Sequence, residues 1–300
     1  MQAWLDGRFV EWEEVAVSPL SHGFARGVAI FEVLGFLDTR MGPAALCLKE
    51  HVERFFASAA LLSLELRLRP EELCEAVLAA ARRNRVREGV GKFFAYCPSS
   101  EFQPVPGDKT VSIAVFCAGY GFFGLDPAKV SRPLRAAVPT WRKISPASIP
   151  VSAKVTGAYV GAYLGAAEMV ERGFDEPIFV DGEGFVCEGG THNHLFVKDG
   201  TIKTPTLKRV LAGTTRGVVM EMAREAGIQV IECDIRQDEL AEFDEAFCTG
   251  SVTRLSPFVS IEGRKLGAGC PGPVTQAVMA AMEKVYQGEP GPHWKWLIPI

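Results

Sequence analysis

The chain has 300 residues, more than one compact core usually holds, so two domains are expected. Apolar residues make up 48% and charged residues 23%; the formal net charge is −4 with no basic block, which argues against a nucleic-acid binder. No apolar run approaches the roughly 18 residues that cross a bilayer, and the eight cysteines are scattered without a Cys-x-x-Cys pair, so reduced thiols in a cytoplasmic protein are expected.

In chain order, MQAWLDGRFVEWEEV carries charges throughout and no signal-peptide core, so it reads as part of the fold, and its WLDGRFV reads as a hairpin turning at Asp6-Gly7. Residues 50–63 and 70–85 are amphipathic helices, the second opening on Pro70. GKFFAYC and KTVSIAVFCAG read as strands, being rich in aromatic and β-branched residues, with the polar loop SSEFQPVPGDK between them. GYGFFGLDPAKVSRP is rich in Gly and Pro and marks a linker at 121–135, after a small domain at 1–120 and before a larger one at 136–300. In the larger one, 157–173 reads as a helix, and EPIFVDGEGFVCE and HLFVKDGTIKTP as hairpins. GTTRGVVMEMAREAG is a helix with a clear start and a Gly stop, IQVIECDI a strand, DELAEFDEAFCTG a helix leading into a strand, and 271–286 a final helix.

Two segments offer an anion site. Gly213-Thr214-Thr215-Arg216 opens an apolar-periodic helix, where hydroxyls and backbone N–H groups favour negative charge; Cys248-Thr249-Gly250-Ser251-Val252-Thr253 follows a strand with more hydroxyls and a flexible Gly. Either is also an ordinary cap or turn. His51, Arg54 and Ser58 share one helix face by their spacing. His192 and His194 lie on one side of a strand, but no third ligand stands at a useful spacing, so no metal is expected and the imidazoles are assigned to hydrogen bonds within the fold.

From about residue 20 onward, several motifs in order resemble the fold-type IV pyridoxal 5′-phosphate enzymes, the class of branched-chain aminotransferases, D-amino-acid transaminases and aminodeoxychorismate lyases. Ser21-His22-Gly23-Phe24 with Gly27 through Phe31-Glu32 resembles the opening glycine–aromatic–Glu motif, and His51-Val52-Glu53-Arg54-Phe55 with Ser58-Ala59 its H-x-x-R-L…S-A helix. Lys154, with Gly157 and Tyr159, is similar to the catalytic-lysine motif, Glu188 with Asn193 to E-x-x-x-x-N, and Thr204-Pro205 to the T-P that follows. Leu211-Ala212-Gly213-Thr214-Thr215-Arg216 resembles L-P-G-I-T-R, and Gly250-Ser251 through Ser256-Pro257 resembles G-T-A-A-E-V-T-P. The ending, Pro271 through Thr275 and then Trp296-Leu297, is most similar to branched-chain aminotransferases.

The resemblance implies an α/β (α+β) two-domain fold, with a smaller N-terminal α+β domain and a larger C-terminal domain whose β-barrel-like core is flanked by helices. It implies pyridoxal 5′-phosphate as cofactor, with Lys154 carrying it as a Schiff base and acting as acid and base. Glu188 would face the ring nitrogen, with Asn193 beside it; Arg54, Thr214, Thr215, Ser251 and Val252 would hold the phosphate; Tyr159 would position the ring oxygen. The implied reaction is ping-pong transfer of an amino group from a hydrophobic, branched-chain-like amino acid to a 2-oxo acid by a homodimer or higher homo-oligomer. A lyase, a D-amino-acid or amine transaminase on the same scaffold, and a catalytically silent binding protein are the alternatives.

The departures from the family pattern fall where substrate would bind. Arg26 stands where an aromatic is common, Val33-Leu34-Gly35-Phe36 replaces G-I-R, and Phe93-Phe94-Ala95-Tyr96-Cys97-Pro98 has no arginine where Y-I-R-P is usual. A substrate carboxylate still needs a cation or N–H partner, expected from Arg26, Lys92 or the Thr253-Arg254 turn. Phe24, Phe31, Phe36, Phe94, Tyr96 and Tyr120 are the apolar candidates for the substrate pocket.

Overall fold

The computed structural model describes residues 1–267 and 270–300. The chain forms two compact units, one of Met1–Pro127, Ala153–Ala158 and Tyr286–Ile300, the other of Ala128–Ser152 and Tyr159–Val285.

In the first unit, β1 (Gln2–Leu5) and β2 (Arg8–Glu11) form the expected hairpin. Asp6 and Gly7 both take positive φ, as the tight two-residue turn requires. Helix α1 is a single turn (His22–Ala25) capped by Ser21, whose hydroxyl accepts from the Phe24 N–H. Next come β3 (Ala29–Thr39), β4 (Gly42–Leu46), α2 (Leu48–Leu61), α3 (Pro70–Arg83), β5 (Gly89–Tyr96) and β6 (Ser112–Ala118). The two long helices begin within two residues of their predicted starts, because amphipathic spacing and Pro70 are local signals. By contrast β3, the longest strand here, carries no alternation. Its burial is near-continuous from Ala29 to Leu37, so a run of apolar residues hides its period.

These strands form one antiparallel sheet in the order C-terminal strand (Leu297–Pro299), β4, β3, β5, β6, β1, β2. The last residues were expected in the larger domain. They pack in the first unit because Leu297–Pro299 pairs with Leu46–Ala44 of β4, and Cys47 N–H donates to the Trp296 carbonyl. Residues 153–158 belong there for a related reason. Strand β3 outruns β4, which pairs only from Phe36 onward, so the edge at Ile30–Phe31 is left to the segment around Lys154.

The second unit holds β7 (Leu134–Ala137), α4 (Tyr159–Arg172), β8 (Glu176–Pro177), β9 (Asn193–Lys198), β10 (Thr201–Pro205), α5 (Thr214–Glu225), β11 (Val230–Cys233), β12 (Glu245–Gly250), β13 (Arg254–Ile261), β14 (Arg264–Lys265) and α6 (Pro273–Tyr286). The sheet runs β11, β10, β9, β12, β13, β7, β8, with β14 on β13; it is mixed, β10–β11, β13–β7 and β7–β8 being parallel. The hairpin expected at 176–188 closes through backbone hydrogen bonds of Phe179 with Cys187 and Glu188 and of Asp181 with Phe185, around a bridge between Val180 and Val186, while Glu176–Pro177 pairs with β7. Its core gathers Leu134, Ile178, Val186, Phe196, Phe243 and Phe258. Among the described residues no helix is long and apolar enough to cross a membrane.

Candidate active site

Strand β3 turns Glu32 toward α2, where helical spacing presents His51, Arg54 and Ser58 on one face, as predicted. Arg54 donates from Nε to Glu32 Oε1 and from Nη2 to Oε2, both at 2.7 Å, and His51 Nδ1 donates to Oε2 at 2.7 Å. Burial alone would push the Glu32 carboxyl up, but the Arg54 guanidinium and His51 outweigh it and hold the group at about 2. His51 is driven below the ordinary histidine range, chiefly by burial, so it stays neutral beside the ion pair. The sequence motif quoted Glu32 without a role, since nothing local shows which strand residue will meet a helix twenty residues on.

Ser58, one turn further along α2, accepts from the backbone N–H of Lys154 at 3.0 Å. The Lys154 carbonyl accepts from Phe31 N–H at 3.1 Å, and Val155 bridges Ile30. Lys154 is thereby held along the edge of β3, buried, with Nζ 4.8 Å from the centre of the Phe31 ring. Gly27 supports the same segment. It has a positive φ, its carbonyl accepts from Gly157 N–H, and a Cβ there would lie 2.9 Å from Gly157 Cα.

Of the apolar candidates, Phe31 and Phe94 lie stacked with centroids 6.0 Å apart and half-buried. Phe36 is fully buried on the opposite, helix-covered face, because the strand period of two separates it from Phe31. It is a core residue and lines no site. Tyr96 and Tyr120 are buried, Phe24 is 69% exposed, and exposed Arg26 donates to the Phe102 carbonyl.

In the second unit, Glu188 is the centre. Its Oε2 accepts from Asn193 Nδ2 at 3.0 Å and from Leu211 N–H at 3.1 Å, and its Oε1 is 2.7 Å from Lys143 Nζ. Asn193 also donates to the Leu211 carbonyl, so it joins the start of β9 to the loop before α5. A Cβ on Gly213 would fall 1.9 Å from Asn193 Oδ1; only glycine fits that place. Thr214 then opens α5 without a side-chain cap on its N-cap residue, and Thr215 Oγ1 lies 3.5 Å from Ser251 Oγ, in the turn that also holds half-buried Val252 and Thr253. Arg216 is buried and braces the loop, donating to the Pro205 carbonyl, Thr204 and Glu232. Tyr159 is the half-buried first residue of α4.

Lys143 and Glu176 carry contacts here that sequence reasoning did not assign. Buried Glu176 receives His192 Nδ1 and His194 Nε2, each at 3.1 Å, and the two imidazoles hold it at about 2 against the upward push of burial. His192 Nε2 is joined to Thr253 Oγ1 at 2.7 Å. Cys248 Sγ lies within 4.8 Å of Glu176 and His192 donor atoms, but burial drives its thiol far above the ordinary range, which keeps it protonated.

The amino-transferase class IV family model matches residues 29–261. The chain belongs to the class IV aminotransferases. It is 31% identical over 301 residues to the branched-chain-amino-acid aminotransferase of Salmonella typhimurium, covering 99% of this chain and 96% of that one. Among solved structures it is similar to the branched-chain aminotransferase of Thermoproteus uzoniensis with norvaline (TM-score 0.94, 31% identity, 100% and 99% coverage). It is also similar to the branched-chain amino acid aminotransferase of Thermobaculum terrenum in its PLP-bound holo-form (TM-score 0.92, 26% identity, 99% and 97% coverage). As a class IV aminotransferase it is an enzyme that uses pyridoxal 5′-phosphate. The residues present suit that group: a buried lysine, a carboxylate contacted by a lysine and two N–H donors, and a helix start beside paired hydroxyls.

Proposed function

We propose that this aminotransferase moves the amino group of a hydrophobic, branched-chain-like amino acid to a 2-oxo acid in two half-reactions, with Lys154 as the lysine that carries the cofactor. The observation that carries the reading is the fixing of Lys154. Its backbone is held on both sides, by Ser58 of the helix that bears Arg54 and by Phe31 of β3, while its Nζ lies against a phenyl ring. The names of the relatives and the half-buried Phe31 and Phe94 support a hydrophobic substrate.

When bound, pyridoxal 5′-phosphate supplies a sink for the electron pair left as the substrate Cα–H bond breaks. Lys154 Nζ would accept and redeliver that proton, a role that needs a fixed amine rather than a surface one. Glu188 opposes the ring nitrogen with negative charge, oriented by Asn193 and the Leu211 N–H. Thr214, Thr215, Ser251 and Val252 bind the phosphate through hydroxyl and N–H groups, and Arg54, its plane set by Glu32, adds positive charge. Tyr159 positions the ring oxygen. The same reading takes the protein as a cytoplasmic homodimer; eight free cysteines suit a reducing compartment.

Purified protein is expected to show a cofactor absorption band that borohydride bleaches and fixes to the chain, and to transfer nitrogen from leucine, isoleucine or valine to 2-oxoglutarate. Lys154→Ala is expected to lose the reducible band and at least about a thousandfold in rate. A variant that keeps both would remove Lys154 from this role. Release of pyruvate without nitrogen transfer would turn the reading to the lyase.

A further inference from the structure

Lys92 bears an ammonium that no acid balances among the described residues. It sits in the middle of β5, opposite Val33 of β3 and Phe116 of β6, so the strand period puts it on one face with Phe31, Val33, Phe94 and Phe116, all half-buried. Its neighbour Phe93 points the other way, into Phe55 of α2, 5.0 Å between ring centres. Lys92 Nζ stands 5.1 Å from the Phe94 centroid and 5.7 Å from that of Phe31, the ring that Lys154 Nζ approaches at 4.8 Å. Among the described residues no hydrogen bond or ion pair reaches it.

An ammonium partly withdrawn from water loses hydration, and attraction to two ring faces returns only part of it. Burial accordingly pushes Lys92 below the ordinary lysine range, with no carboxylate to restore it. An incoming anion supplies what the fold leaves out. The other cations of this unit near the motifs are engaged elsewhere: Arg54 with Glu32, and Arg26 with a backbone carbonyl at the surface.

Building on the function proposed above, we propose that Lys92 receives the α-carboxylate of the amino-acid and 2-oxo-acid substrates, with Phe31 and Phe94 beside the aliphatic side chain. The arrangement suits a ligand with one carboxylate and a short apolar tail, and disfavours an amine without a carboxylate.

The test uses the holoenzyme and 4-methylvaleric acid, an aliphatic carboxylate that cannot react, with binding followed by the change in cofactor absorption. Lys92→Met is expected to raise the Kd of the acid about 10- to 100-fold, the worth of one charge-assisted hydrogen bond, while Lys92→Arg stays within a few-fold of the parent. In parallel the KM of donor and acceptor should rise more than kcat falls. On the unmodified protein the uncharged amide of the same acid should bind at least about tenfold more weakly than the acid. Equal binding of acid and amide by the parent, or an unchanged Kd in Lys92→Met with its cofactor band intact, overturns the proposal. Absence of a borohydride-sensitive band in the parent counts against the cofactor reading of Lys154 instead.

Discussion

Glu32→Gln is the substitution whose cost the structure defines best. The side chain is fully buried and its two oxygens accept three N–H groups, two from Arg54 and one from His51. Held at about 2 against an ordinary 4.5, the ionised carboxylate contributes about 3 kcal/mol to folding at neutral pH. Glutamine keeps the shape but leaves the nearly buried Arg54 without its counter-charge, and breaking a buried pair from one side costs roughly 3–5 kcal/mol. The expected loss is therefore about 3–5 kcal/mol, read as a lower urea midpoint of the cofactor-free protein. The pH dependence follows from the depressed value. The contribution is complete above about 4.5, where the unfolded carboxylate is also ionised, and fades as pH falls toward 2, because only the unfolded chain gains a proton in that window. The gap between parent and variant should thus be constant from neutral pH down to about 4.5 and narrow below it. A variant within about 1 kcal/mol of the parent at neutral pH would show that His51 and Arg54 do not depend on this charge.

Gly213→Ala drives a methyl group into Asn193 Oδ1 and so loosens Glu188 from two of its donors; we expect a loss of about 2 kcal/mol in urea unfolding and about tenfold weaker binding of pyridoxal 5′-phosphate, and an unchanged Kd would count against the Asn193 link. With Glu188 opposing the ring nitrogen as proposed, Lys143→Met, which removes the cation 2.7 Å from Glu188, would let that nitrogen keep its proton to higher pH; the pH at which the cofactor absorption changes should rise by about 1, with Lys143→Arg restoring it, and a profile identical in all three proteins would refute the coupling.

Local chemistry made part of this protein legible at once. Asp6-Gly7 adopts the positive φ values its hairpin needs, Pro70 opens α3, and Gly213 precedes α5, because turns and helix starts are decided within a few residues. The alignment of His51, Arg54 and Ser58 was legible too, since helical spacing settles which side chains share a face. Ordered motifs pointed to Lys154 and Glu188 as the lysine and the glutamate expected of a pyridoxal-phosphate site. What they meet was not legible. Glu32 lies within an apolar strand whose pairing hides its facing, Phe31 and Phe36 differ only by the parity of their positions, and the C-terminal strand finds β4 some 250 residues away in sequence. The chain by itself determined which chemical groups are present and which short segments are helix or turn. Tertiary structure alone decided that Glu32 pairs with Arg54, that Lys143 faces Glu188, and that Lys92 meets no acid among the described residues, because such pairings depend on strand register and packing between residues far apart in the chain.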